Sequence, residues 1–274
     1  MAKTLTVHTI VRNEERWVWY SLMSVIEFVD KILVYDTGST DKTVDIIKAV
    51  RTPKIIFEEK GQVDRVDFVK LRAEQLERTE TDWFLLVDGD EIWPKETILE
   101  LREAIEAASA SIYGIVVRAW NLVGDVYHYH EESVNYHWPF TPKNFLGWAN
   151  LRAVRRNIPG LKISGEYPLE TYYDQTGTPI QNYGEKRLIF LKNRYFHTSY
   201  LPRSSFFYDL KTFNRKLKFE IGKKFPQNFS YPEVFYRKRP KVVPTPWQKQ
   251  SFLFEIISAV QTPLRKWRRK LLKI

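Results

Sequence analysis

Cysteine is absent from the 274 residues. Disulfides, thiolate metal sites and thiol nucleophiles are therefore excluded, and the composition fits a reducing compartment. No uncharged apolar run approaches the roughly 18 residues that a membrane-spanning helix needs. The N-terminal stretch is too short and too polar for a signal peptide. Internal repeats and low-complexity linkers are missing, so no sharp domain boundary is visible. Acid is scarce toward the C-terminus, where residues 201–274 hold 18 Lys and Arg against 4 Asp and Glu. The preceding residues hold 25 basic and 29 acidic side chains, so the overall charge of +10 lies in the tail. An acidic body with a basic tail is a two-function layout.

What is present is ordinary for a globular α/β protein: 43% hydrophobic and 28% charged residues, in a length suited to one large domain or two small ones. Aromatic content is high at 15%. Short apolar runs alternate with helical patterns, the signature of βαβ units and a mostly parallel sheet. Strands are expected at 5–11, 31–35, 55–57, 83–87 and 113–117, with further strands at 151–156 and 187–191. Helices are expected at 16–29, from a cap at Ser39-Thr40-Asp41 to 50, at 68–78 and at 95–109. Residues 120–145 lose periodicity and read as a long aromatic loop over a site, with Tyr127, Tyr129, Tyr136, Trp138 and Phe140 among His128, His130 and His137. These aromatics suit core packing or stacking on a bound ligand. Residues from 201 onward read as helical and basic.

Val87-Asp88-Gly89-Asp90-Glu91-Ile92 is the most informative motif. It follows the apolar run Trp83-Phe84-Leu85-Leu86 and is closed by Trp93-Pro94. Residues two apart on an extended backbone point the same way, so Asp88 and Asp90 are expected to converge. Oxygen ligands on a short turn suit Mg²⁺ or Mn²⁺ shared with substrate phosphates. The plain alternative is an acidic surface turn. Two further polar clusters, Arg12-Asn13-Glu14-Glu15 and Asp36-Thr37-Gly38-Ser39-Thr40-Asp41, also end predicted strands. Ligands bind at that edge of parallel sheets.

These motifs resemble those of the family 2 glycosyltransferases, over residues 4–120 and more weakly to about 200. Val11-Arg12-Asn13-Glu14-Glu15 is similar to the opening motif of the branch related to lipopolysaccharide-core glycosyltransferases. The resemblance implies the nucleotide-sugar-binding, Rossmann-like GT-A fold, a mostly parallel sheet flanked by helices. It implies a transferase domain over 1–200, with a nucleotide half near 1–120 and an acceptor half near 121–200, followed by a basic helical extension at 201–274. It gives Asp36 the nucleotide base and places Arg12, Asn13, Glu14, Arg72 and Asp88 around the nucleotide. Asp88 and Asp90 would hold Mn²⁺ or Mg²⁺ against the diphosphate, with Glu91 as a further ligand or an orienting group. His197 would join them, or else be a partly buried structural histidine. An inverting enzyme also needs a base near the acceptor hydroxyl. The resemblance favours Glu170 over Glu166, although Leu169 stands where this branch usually has His, and Asp125 and Asp174 are outside candidates. The donor would be a UDP- or GDP-sugar and the acceptor a lipid-linked or cell-envelope glycan.

In the tail, Leu253, Ile256, Ile257, Val260, Leu264, Trp267, Leu271 and Ile274 form one helical stripe flanked by Arg265, Lys266, Arg268, Arg269, Lys270 and Lys273. Thr262-Pro263 suggests two abutting helices. A basic amphipathic helix with Trp is the pattern of an interfacial anchor. Six cations near an anionic surface would contribute up to roughly 6 kcal/mol. The expected location is the cytoplasm, peripheral on the cytoplasmic face of the membrane. The competing reading is a terminal helix docked on the protein's own core.

Two other functions fit the sequence less well. A sugar-phosphate nucleotidyltransferase wants a glycine-rich loop after the first strand, and Arg12-Asn13-Glu14-Glu15 has none. A nucleic-acid-binding protein needs a continuous basic track, whereas here the cations are confined to the tail.

Overall fold

The computed structural model describes residues 2–130, 142, 145, 147–201 and 219–272. Strands β1 (Leu5–Val11), β2 (Lys31–Asp36), β3 (Ile55–Glu59) and β4 (Trp83–Leu86) lie in the order β4-β1-β2-β3 and are parallel. Helices α1 (Val18–Val25), α2 (Thr43–Ala49) and α3 (Arg65–Glu77) supply the three crossovers. The carboxyl ends of β1, β2 and β4 therefore share one edge, as the sequence pattern requires.

Beyond β4 the sheet becomes mixed. A two-residue strand, β5 (Glu91–Ile92), precedes α4 (Lys95–Ala107). Next come β6 (Gly114–Val123), β7 (Asp125–Tyr129) and β8 (Ala149–Arg155), with β8 antiparallel to both β4 and β6. A small hairpin, β9 (Lys162–Ser164) with β10 (Thr171–Tyr173), stands apart. The long β11 (Leu188–Tyr200) pairs parallel with β6 and antiparallel with β5. β12 (Lys223–Lys224) closes the edge on β7, and α5 (Phe252–Leu272) follows. The GT-A-like layout is thus a parallel core extended by antiparallel strands.

Successive side chains of β4 point to opposite faces. Trp83 and Leu85 join one core with Val7, Tyr20, Ile98 and Leu101, whereas Phe84 joins the other with Leu76, Val116, Val154 and Tyr172. Helices α1 and α4 cover the first face; α3 and the β9–β10 hairpin cover the second.

Four expectations fail locally. First, α2 starts at Thr43 and the expected cap is met by Asp41 alone, whose Oδ1 accepts from Thr43 N–H at 2.9 Å, because Ser39 and Thr40 are engaged by the β1 loop. Ser39 Oγ accepts from Asn13 N–H at 2.8 Å, and Thr40 N–H donates to Asn13 Oδ1 at 2.7 Å. Second, residues 120–129 form strand rather than loop: β6 continues to Val123 and turns back through Gly124 into β7, burying Leu122, Val123 and Val126. Tyr136, His137, Trp138 and Phe140 lie outside the described residues. Third, residues 219–251 are mostly irregular apart from β12 and one short turn of helix (Glu233–Tyr236). Pro226, Pro232, Pro240, Pro244 and Pro246 explain this, since each removes a backbone donor. Fourth, α5 is one helix running through Pro263. Ala259, whose carbonyl loses its helical partner to the proline, is exposed to water.

Candidate functional site

The acidic motif is a tight turn. Glu91 N–H donates to the Asp88 carbonyl at 3.0 Å, and Asp88 N–H reaches Glu91 Oε2 at 3.3 Å. The alternation of an extended strand therefore does not govern Asp88 and Asp90, and each carboxylate meets its own partners. Gly89 is required by space: a Cβ there would stand 2.7 Å from Val11 Cγ1 and 3.2 Å from Glu14 Cγ. The motif thus nests against the end of β1.

Two arginines converge on Asp88. Arg72, from α3, places Nη2 2.6 Å from Asp88 Oδ1, and Arg152, from β8, places Nη1 3.6 Å from Asp88 Oδ2. Arg152 also bonds Glu91 Oε1 through Nη2 and donates to the Tyr195 hydroxyl from Nε at 3.1 Å. Asn150 Nδ2 donates to the same hydroxyl at 3.0 Å. Burial raises the pKa of the fully enclosed Glu91 carboxyl, with the Arg152 guanidinium opposing it.

Asp90 is held by β11. Thr198 N–H and Oγ donate to the Asp90 carbonyl at 2.9 and 3.1 Å, and Asp90 Oδ2 faces His197 Nε2 at 3.2 Å. Pairing of β5 with β11 sets His197 opposite Glu91, and a register shift in the β6–β11 pairing follows between His197 and Tyr200. Such shifts re-aim side chains beside sites. His197 Nδ1 lies 3.1 Å from Asn121 Oδ1. With the proton on Nδ1, the Nε2 lone pair points toward Asp90.

Among the described residues no three His, Asp or Glu side chains stand close enough to cage a metal unaided. The donor chemistry nevertheless fits an open cation site. A 3.2 Å separation of Asp90 Oδ2 and His197 Nε2 suits adjacent ligands on a cation with bonds of roughly 2.1–2.3 Å, whose other positions are commonly water and phosphate oxygens.

Asn13, Glu14 and Asp36 sit at the same strand edge. Asn13 adopts a positive φ of 55°, and Glu14 N–H donates to Thr43 Oγ1 at 2.7 Å. Asp36 Oδ2 accepts from Gly38 and Ser39 N–H at 3.0 and 2.9 Å, while its buried Oδ1 accepts no hydrogen bond among the described residues. Gly38 has a φ of 81°, and a Cβ there would press on Gln62, so only glycine suits this turn. Arg12 is exposed.

Glu170 and Glu166 separate clearly. Glu170, ahead of β10, is half-buried, and its Oε2 accepts no hydrogen bond among the described residues. Burial raises its pKa; Arg72 and Asp88 act on it in opposite senses, which ties Glu170 to the cluster. Glu166 is exposed. Asp125 and Asp174 serve their local folds. Asp125 accepts from Tyr127 and Gln250 N–H at 2.9 and 3.2 Å, and Asp174 accepts from Thr176 and Thr178 N–H at 2.9 and 3.2 Å.

Sequence reasoning missed Arg152, Tyr195 and Asn121. The available signal was Arg152 itself: a charge inside the apolar run Leu151-Arg152-Ala153-Val154 needs a buried partner.

Residues 6–160 match the family described as Glycosyl transferase family 2. Glycosyltransferase SunS of Bacillus phage SPbeta is 31% identical over 162 residues, covering 52% of this chain and 37% of that protein. An uncharacterized glycosyltransferase of Rickettsia typhi is 33% identical over 109 residues, covering 40% of this chain and 34% of its own length. The chain thus spans little more than a third of the relatives it matches. Among solved structures, S. aureus TarS 1–349 in complex with UDP-GlcNAc aligns with a TM-score of 0.46 and 17% identity, covering 71% of this chain and 58% of that one. With the family match covering more than half of its length, the chain belongs to glycosyl transferase family 2.

Proposed function

We propose that this chain transfers a sugar from a UDP- or GDP-sugar to a lipid-linked or cell-envelope glycan, with inversion, in the branch related to lipopolysaccharide-core enzymes. The observation that carries the reading is the meeting of Asp90 with His197 beside the Arg72–Asp88–Arg152 cluster, at the edge where β1, β2 and β4 end. Asp90 and His197 would hold Mn²⁺ or Mg²⁺, with Asp88 on the same side. When bound, that cation stabilises charge on the departing diphosphate. Arg72 and Arg152 fix the Asp88 carboxylate so that it needs no rearrangement on binding. Asp36, with one oxygen unspent, would accept from the nucleotide base, and Arg12, Asn13 and Glu14 would line the nucleotide. Residues 1–120 would form the nucleotide half and 121–200 the acceptor half.

Glu170 is the general base in this reading. Its carboxylate takes the acceptor hydroxyl proton as the acceptor oxygen bonds the anomeric carbon. The bond from that carbon to the diphosphate breaks, and its electron pair leaves with the nucleoside diphosphate. Burial raises the Glu170 pKa and so its strength as a base; its half-buried position with Oε2 unbonded among the described residues, against the exposed Glu166, favours Glu170. The test is transfer from UDP- and GDP-sugars with Mn²⁺, comparing the native chain with Glu170→Gln and Glu166→Gln. Loss in the first variant alone supports the assignment, and loss in the second alone moves the base to Glu166.

A further inference from the structure

Helix α5 is mounted with its polar side inward. Ser258 and Thr262 are buried, and Thr262 Oγ accepts from Ile221 N–H at 2.8 Å while donating to the Ser258 carbonyl at 2.6 Å. On the same side the Phe254 ring meets Phe219, with centroids 5.3 Å apart. At about 100° per residue the opposite side carries Leu253, Ile256, Val260, Leu264, Trp267 and Leu271, which are between 48% and 65% exposed. A surface helix ordinarily turns its apolar row to the core. Here that row faces out, against the docked-helix alternative. Contiguous exposed apolar rows of this kind mark interaction sites.

We infer that α5 is an interfacial helix whose outward row is covered by an anionic lipid bilayer. Between Glu255 and Leu272 the helix carries no acid, while Arg265, Lys266, Arg268, Arg269 and Lys270 occupy helical positions outside the apolar row. Acidic headgroups neutralise such a set of cations. The same helix from a second copy would add its own. No helix among the described residues is long and apolar enough to cross a membrane, so α5 lies in the interface plane. The start of the helix is tied to the β6–β7 hairpin, where Gln250 N–H donates to Asp125 Oδ2 at 3.2 Å. The bilayer would therefore hold the sheet in a fixed orientation.

The test is flotation of the whole chain with vesicles of phosphatidylcholine alone and of phosphatidylcholine mixed with phosphatidylglycerol. Melting temperature and sedimentation velocity are measured alongside. The native chain should float with the anionic vesicles and do so less as salt is raised. The double variant Val260→Glu/Leu264→Glu alters only exposed positions, so it should keep the native melting temperature and lose at least ~10-fold in bound fraction. Arg265→Glu/Lys266→Glu should weaken binding to anionic vesicles without altering the apolar row. Equal flotation with both vesicle types, or unchanged flotation of the Val260/Leu264 variant, overturns the inference. So does a native dimer that this variant dissociates without any vesicle binding, which would assign the row to a second copy. These readouts are independent of sugar transfer.

Discussion

His197 Nε2 meets Asp90 Oδ2 at 3.2 Å, while the adjacent Thr198 N–H donates to the Asp90 carbonyl at 2.9 Å. One strand thus fixes both the backbone and the side chain of Asp90. If that pair holds the cation, Asn121 orients it by fixing the imidazole. Asn121→Ala should then raise the Mn²⁺ requirement of transfer by about 10–100-fold, the usual cost of losing an outer partner. Asp90→Ala should cost more. Mn²⁺ titrations of transfer, with circular dichroism to verify folding, check both.

Glu170→Gln should lower turnover by about 10²–10⁴-fold, the usual contribution of a general base, and leave donor binding near native. The pH profile gives a second reading. Burial raises the Glu170 pKa, and only the deprotonated form accepts a proton. In the native chain kcat/KM should therefore fall as pH drops through that raised value, and Glu170→Gln should lack this limb. The stability effect runs the other way. A raised folded-state pKa favours folding below the unfolded value, and that contribution disappears as pH rises through the folded one.

Much of this arrangement is legible in the chain. Apolar runs ending in Asn13-Glu14, Asp36 and Asp88 predict parallel strands that deliver polar groups to one edge, because strand period and crossover handedness leave few other layouts. Arg72 and Glu170 enter only through the family resemblance, not through the strand pattern. What stays hidden depends on long-range pairing. Nothing local shows that β5, two residues long, pairs with β11 and so sets His197 beside Asp90. Nor does the local pattern show that Arg152 crosses from β8 to Asp88 and Glu91. Residues 120–129 are misread as loop because aromatic and polar residues mask a strand whose burial is decided by the neighbours it acquires.

Arg152 bridges the buried Glu91 and Asp88. Arg152→Met should destabilise the fold by about 3–5 kcal/mol, since it strands a buried carboxyl without its partner. Adding Glu91→Gln should recover part of that loss, because the second change removes the stranded group. Urea denaturation of the two single variants and the double variant measures the coupling.

Gly89→Ala tests the close approach of the acidic turn to β1. The added methyl would stand 2.7 Å from Val11 Cγ1. It should cost about 1–3 kcal/mol in overpacking and shift Asp88 and Asp90 together. Thermal unfolding reports the first effect and Mn²⁺-dependent transfer the second.

The most direct measurement is the melting temperature of the native chain and of Asp90→Ala with UDP or GDP, each with and without Mn²⁺. A ligand that binds the native state alone raises the melting temperature. The account predicts a rise in the native chain that requires nucleotide and Mn²⁺ together and vanishes in Asp90→Ala. A nucleotide-induced rise that needs no metal and persists in Asp90→Ala would contradict it.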